Sequence, residues 1–141
     1  MKLKFKKIHP AAKFPSYAHP GDAGMDLYAC GEAVILPGQR VLIPTGLQLA
    51  IPDGYVGLIW DKSGLAVKNG LSTIAGVIDA GFRGELKVAI INLGTEAHTF
   101  AVGEKIAQLL IQPVVQPEIL ETDNLEETSR GEDGFGSTGR F

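Results

Sequence analysis

The chain is poor in several things, and each shortage narrows what it can be. It has one cysteine, Cys30, among 141 residues, which excludes an intramolecular disulfide and any cysteine-rich zinc site. No apolar run approaches the roughly 18 residues of a membrane-spanning helix. The opening run from Met1 to Ile8, with four lysines, has none of the apolar core of a secretory signal, so a cytoplasmic setting is expected. Positive charge is not in excess. Lys and Arg number 13 against 16 Asp and Glu, and a net charge of −3 supplies no global field for DNA or RNA. Neither a nucleic acid nor a membrane is an expected partner. Room for helices is short as well, because 18 glycines and 8 prolines leave few windows for three uninterrupted turns.

What remains is a composition with 45% hydrophobic and 21% charged residues, at a length that suits one domain with a real core. Short apolar runs between the breakers predict strands over 2–8, 34–36, 41–43, 47–51, 55–60, 86–91, 98–102 and 106–112. Strands of that number and spacing predict an all-β protein, a sandwich, jelly roll or barrel. The lysines among the first seven residues alternate with Leu3 and Phe5, the pattern of the wet face of a protected edge strand. Leu86, Val88 and Ile90 alternate with Glu85, Lys87 and Ala89, the period of a half-buried strand. One short helical turn is expected over 67–71.

Four turn-rich stretches carry polar groups that a β scaffold does not need. Asp79 is followed closely by Gly81 and Gly84, so it sits in a tight turn ahead of a core strand, which is either ordinary turn chemistry or a good place for a base that must not move. Asp22 and Asp26 stand among Gly21 and Gly24, where a carboxylate could serve a hard cation such as Mg²⁺ or cap a turn. Lys62 and Ser63 precede Gly64, a cation and a hydroxyl at a glycine-bearing turn that suits an anion. Gln108 lies amid apolar residues, where an unpaired inward amide would cost about 1–3 kcal/mol, so a partner within the protein is the default. From Pro117 the chain becomes acidic and weakly apolar. Its last residues, Arg130-Gly-Glu-Asp-Gly-Phe-Gly-Ser-Thr-Gly-Arg-Phe141, cannot pack a core. That composition suits either a disordered tail or a flap that orders on a phosphate.

Taken in order, these stretches resemble the five motifs of the homotrimeric dUTPase family. They are Ala23-Gly-Met-Asp-Leu-Tyr-Ala29, Lys62-Ser-Gly-Leu-Ala66, Gly76-Val-Ile-Asp-Ala-Gly-Phe-Arg-Gly84, Lys105-Ile-Ala-Gln-Leu-Leu110 and Arg130–Gly139. The resemblance spans nearly the whole chain. It implies hydrolysis of dUTP to dUMP and pyrophosphate, which keeps uracil out of DNA and supplies dUMP for dTMP synthesis. It also implies a jelly-roll-like β protein forming a homotrimer with sites at subunit interfaces. Residues 1–116 would form the β-barrel domain, and 117–141 an arm and phosphate-binding flap exchanged to a neighbouring subunit. Asp79 would be the general base, and Asp26 would hold the water shell of Mg²⁺. Ser63 and Gln108 would bind the phosphate chain, with Lys62 and Gly64 beside them. Phe82 would lie against the deoxyribose, and hairpin backbone groups around 71–76, including Thr73 and Gly76, would read uracil. Phe135 would stack on the base, while Arg130, Gly136, Ser137 and Thr138 would close on the γ-phosphate.

The chain departs from the family pattern in three places. Pro-Arg is usual where Asp61 and Lys62 stand, which trades a planar fork for a point charge and adds a carboxylate that either pairs with Lys62 or points away. Tyrosine is usual at Phe82, and the asparagine often found in the uracil hairpin is replaced by Thr73 nearby. The related dCTP deaminases, some bifunctional, share the fold but place a catalytic glutamate three residues before an asparagine. Counting back from Asn92 gives Ala89. The same strands would also suit a non-catalytic nucleotide-binding trimer or a capsid-like jelly roll. The first leaves Asp79 without a task, and the second leaves the turns and the tail without one.

Overall fold

The structure is a computed structural model that describes residues 1–134. The expectations for Phe135, Gly136, Ser137 and Thr138 lie outside the described residues. In chain order the strands are β1 (Lys4–Lys7), β2 (Met25–Tyr28), β3 (Ala33–Ile35), β4 (Arg40–Ala50) and β5 (Tyr55–Trp60). Helix α1 (Ser63–Asn69) follows, then β6 (Leu71–Ile74), β7 (Val77–Ile78), β8 (Leu86–Asn92), β9 (His98–Phe100) and β10 (Lys105–Pro113). One four-stranded antiparallel sheet runs β1-β4-β8-β6, a second runs β2-β10-β5-β7, and β3 pairs with β9. This is an all-β sandwich, among the architectures that the strand spacing allows, and the jelly-roll-like form that the resemblance implies.

β8 shows why these residues form strands. Leu86, Val88 and Ile90 are buried while Lys87 is exposed, so the period of two in the sequence is the alternation of the pleat. They meet Leu27 and Leu109 of the opposite sheet, with Ile43 and Phe100, in one apolar core. β1 lies at a sheet edge with Lys4, Lys6 and Lys7 exposed, as the lysine alternation predicts.

Three local expectations need correction. The separate strands over 41–43 and 47–51 are one strand, β4, with a break in register between Pro44 and Leu47. Proline and glycine interrupt the ladder there without ending the strand, because Thr45 Oγ1 donates to the Leu86 carbonyl at 2.6 Å across the bulge. Gly46 takes a φ of 68°, and a Cβ on it would lie 2.7 Å from Cys30 Sγ. The helix starts at Ser63, earlier than expected, and Gly70 ends it by donating its N–H to the Ala66 carbonyl, so Leu71 opens β6 instead of closing the helix. The segment before Asp79 is not a ladder-paired hairpin. β6 pairs with β8 in one sheet and β7 with β5 in the other, so Ala75 and Gly76 turn a corner between two sheets. Ala75 holds a φ of 53° at that corner, a conformation that costs a side-chain-bearing residue of the order of 1 kcal/mol.

Candidate active site

Register assembles the site. Gln108 of β10 is the Cα partner of Asp26 on β2 and of Trp60 on β5, so the end of β5, the middle of β10 and β2 meet side by side. With Asp22, Gly24, Asp61 and Lys62 they line a cleft of about 400 Å³. Gly24 is there for space, because a Cβ on it would run into the Gln108 side-chain amide. That amide donates from Nε2 to the Asp61 carbonyl at 2.8 Å, the internal partner that its apolar surroundings predict. Asp22 caps a turn, with Oδ2 accepting from the His19 N–H at 2.8 Å.

Asp26 is the electrostatic centre. Its carboxylate is only 4% exposed, and Lys62 Nζ donates to Oδ1. The Lys105 ammonium lies 2.6 Å from Oδ2. Burial by itself pushes this carboxyl up, but the Lys105 and Lys62 ammoniums together outweigh it and hold it below the usual aspartate value. Lys105 is pushed up in turn by Asp26 beside it. Lys62 and Lys105 are the cations that an incoming anion would meet here, beside the carboxylates of Asp26 and Asp22.

Asp61 and Lys62 diverge. Lys62 is extended (φ −83°, ψ 120°), so consecutive side chains leave on opposite sides of the chain. Lys62 goes to Asp26, and Asp61 points away from it, the second of the two arrangements the sequence suggests. It turns to β6, where Oδ1 accepts from the Thr73 N–H and, at 2.6 Å, from Thr73 Oγ1. Oδ2 accepts from Ser72 Oγ at 3.1 Å. Beyond Asp61 a second groove of about 290 Å³ is lined by Trp60, Asp61, Ser72, Thr73, Gly76 and Val77. Gly76 is fixed there by its carbonyl, which accepts from the Ile59 N–H at 2.8 Å.

One chain does not bring all the expected residues together. Asp79 and Phe82, both exposed, sit in the turn between β7 and β8, where the Phe82 N–H reaches the Asp79 carbonyl at 3.1 Å. Among the described residues that line the cleft, neither appears, nor do Ser63 and Gly64, which stand exposed at the start of α1. Arg130 is exposed and donates from Nε to the Asp133 carbonyl at 2.9 Å within its own turn. Sequence reasoning overlooked Lys105 as a site group. Strict alternation would turn it to the core side with Ala107 and Leu109, and only the bulge between Lys105 and Ala107 brings it to Asp26. It also overlooked the carboxylate of Asp61 as a tie, for which a sequence offers no sign.

The site can also be tested for a metal. Among the described residues no three His, Cys, Asp or Glu side chains cluster to make an all-protein cage. Lys62 engages Asp26 Oδ1 and the Lys105 ammonium lies 2.6 Å from Oδ2, so the carboxylate fits only an ion that keeps its waters and arrives on phosphates, the manner of Mg²⁺, and only once those ammoniums turn to the phosphates.

Fold and cleft together define a class: a jelly-roll protein with a cleft of charged and amide side chains built on the outer face of one sheet. The comparisons narrow it. The family model described as dUTPase matches residues 11–139. The deoxyuridine 5'-triphosphate nucleotidohydrolase of Syntrophotalea carbinolica is 48% identical over 141 residues, covering 97% of this chain and 96% of that protein. The enzyme of the same name from Mycobacterium leprae is 50% identical over 145 residues, covering 97% and 94%. A mutant of the Staphylococcus bacteriophage 80alpha dUTPase solved with dUpNHpp superposes with a TM-score of 0.93 at 30% identity, covering 99% of both chains. The chain belongs to the dUTPase family.

Proposed function

We propose that this chain hydrolyses dUTP to dUMP and pyrophosphate. The observation that carries the reading is the convergence of Asp26, Lys62 and Gln108 on one cleft, beside a corner whose next residues lead to Asp79. Family membership and relatives named for this reaction support it.

In the reaction Asp79 takes a proton from water, whose oxygen attacks the α-phosphorus in line. The bond from that phosphorus to the bridging oxygen breaks, and pyrophosphate leaves with the electron pair. Little covalent chemistry is asked of the protein, so positioning and charge neutralisation supply the rate. Lys62 keeps a side-chain exposure of 29%, so its ammonium can turn from Asp26 toward a phosphate. Ser63, Gly64 and Gln108 would hold the same chain of phosphates. Phe82 would pack on the sugar and exclude a 2′-hydroxyl. Mg²⁺, for which Asp26 would hold the water shell, neutralises phosphate charge when bound. A mutant dUTPase from phage phi11 of S. aureus, similar to this chain at a TM-score of 0.84 and 27% identity, coordinates a structural Mg(II) ion.

The separation of Asp79 from the cleft within one chain supports a homotrimer in which neighbouring subunits complete each site. Residues 114–134 are exposed throughout, and Ile119 and Leu125 are 94% and 87% exposed. That supports an arm, over 117–141, that finds its contacts on a neighbour, with Arg130 and the residues after it closing on the triphosphate. A deaminase is disfavoured, because Ala89 sits in β8 paired with Leu42 and Ile74 and offers no acid. No helix among the described residues is long and apolar enough to cross a membrane, and a cytoplasmic setting suits the substrate.

The test is turnover of dUTP with magnesium, beside UTP, dTTP and dCTP, following pyrophosphate. Fast release selective for dUTP is expected, and Asp79→Asn should bind dUTP while turning it over at least about 10³-fold more slowly. Ammonia from dCTP, or an Asp79→Asn variant at parental rate, would overturn the reading.

A further inference from the structure

The corner formed by Ala75 and Gly76 poses a mechanical problem. β6 is the last strand of its sheet and β7 the last of the other, and no ladder joins them among the described residues. Two sheet edges therefore meet at a corner of two residues, one of them at positive φ. A pair of ties holds β5 and the residue after it to that corner. One is the backbone bond from the Ile59 N–H to the Gly76 carbonyl. The other is the Asp61 carboxylate, which takes three donors from β6: the Thr73 N–H, Thr73 Oγ1 and Ser72 Oγ.

Those bonds also decide which groups remain to recognise a base. Thr73 directs both its N–H and its hydroxyl at Asp61, so neither is free for a ligand. What remains is the backbone from Ile74 to Val77, apart from the Gly76 carbonyl that Ile59 already takes. At the same time the carbonyl of Asp61 holds the Gln108 amide on the phosphate side. One residue thus lines both the larger cleft and the second groove, with its carboxylate committed to one and its carbonyl to the other.

We propose that Asp61 is a positioning residue that sets base specificity: it clamps β6 to the β5–α1 turn and so fixes the corner that reads the pyrimidine edge. The proposal rests on the dUTPase reading given above and adds to it the residue that keeps the reading edge rigid. The physical reason is that polar recognition rejects a wrong partner only while the protein's own groups cannot move to accommodate it. An error of about 1 Å in such a site can cost about 10²-fold. Asparagine at this position would present an NH₂ to donors and leave one oxygen for three of them, so the clamp would open on one side.

The experiment measures kcat and KM for dUTP and dCTP in the parental enzyme, Asp61→Asn, Thr73→Val, Thr73→Ser and the Asp61→Asn/Thr73→Val pair. Asp61→Asn is expected to lower kcat/KM for dUTP about tenfold, mainly through KM, and to shrink the preference for dUTP over dCTP by about the same factor. Thr73→Val should reproduce part of this, Thr73→Ser should restore the parental preference, and the pair should be no worse than Asp61→Asn alone. Backbone hydrogen exchange should rise at 72–77 in Asp61→Asn and nowhere else. An unchanged preference, additive effects in the pair, or exchange rising throughout the sheets would overturn the clamp. If Asp61→Asn does not fold, the Thr73 variants decide alone. A parental protein that leaves dUTP intact would defeat the functional reading, and the exchange measurement would still test the clamp.

Discussion

Replacing Asp26 by asparagine removes the one negative charge between two ammonium groups while keeping the shape of the side chain. Breaking a fully buried ion pair costs about 3–5 kcal/mol, and an exposed pair contributes at most about 1. This pair lies between those limits. The carboxylate side chain is 5% exposed, but the Lys62 and Lys105 side chains keep 29% and 45%, so both ammoniums can turn to water once the carboxylate is gone. The expected loss at neutral pH is about 1–2 kcal/mol. For a domain of this size that lowers the melting temperature by roughly 3–10 °C. The pH dependence follows from the direction of the shift. The folded carboxyl is held below its unfolded value, so its contribution is fully present above the unfolded pKa, near 3.9, and is lost as pH falls through the lower folded value. The difference between parent and variant should therefore be full at pH 7 and fade below about pH 4. Thermal melts at fixed protein concentration, at pH 7 and pH 3, make the measurement. An equal gap at both pH values would refute an electrostatic origin, and no gap at pH 7 would refute the ion pair.

Other substitutions separate the scaffold from the site. Leu86→Ala, at a fully buried position of β8, should cost about 2–5 kcal/mol in chemical denaturation. Gly24→Ala meets the Gln108 amide and, at 3.1 Å, its Cβ, and would break the bond from that amide to the Asp61 carbonyl, so stability should fall by about 1–3 kcal/mol while KM for dUTP rises, which melts and steady-state kinetics would show side by side. Removing Arg130–Phe141 should leave the melting temperature unaltered and lower dUTP turnover at least about 100-fold; undiminished turnover would exclude a closing flap. Cys30 is buried, and burial, with Glu85 nearby, pushes its thiol up, so a thiol reagent at pH 8 should label the folded protein far more slowly than the unfolded one.

The sequence discloses what local rules decide and conceals what register decides. The alternation in β8 survives into the structure because one face of that strand is core and the other is not. The lysines of β1 are legible for the same reason. Pro44 and Gly46 mislead, because breakers normally end strands and here a bulge bridged by Thr45 absorbs them. The corner at Ala75 and Gly76 resembles a hairpin in sequence, since a turn between two β segments looks alike whether its arms pair with each other or with other strands. The five polar stretches are visible as chemistry, and the convergence of Asp26, Lys62 and Gln108 follows from the pairing of β2, β10 and β5. Lys105 is hidden by a one-residue bulge. Asp61 is visible as an anomaly, and its partners on β6 require the fold.

The corner has a consequence for how the molecule responds to its interior. In a hairpin with paired arms, the tip rides on its own ladder and is indifferent to what happens elsewhere. Here the tip spans two sheets, so its opening is a gauge of the thickness of the sandwich. A cavity made at Ile59 or Leu109, or compression by hydrostatic pressure, changes that thickness slightly and delivers the change to Ala75 and Gly76. On the reading proposed above, substrate choice should respond to the packing of side chains that no nucleotide touches, and dUTP-against-dCTP kinetics of Leu109→Ala would show it.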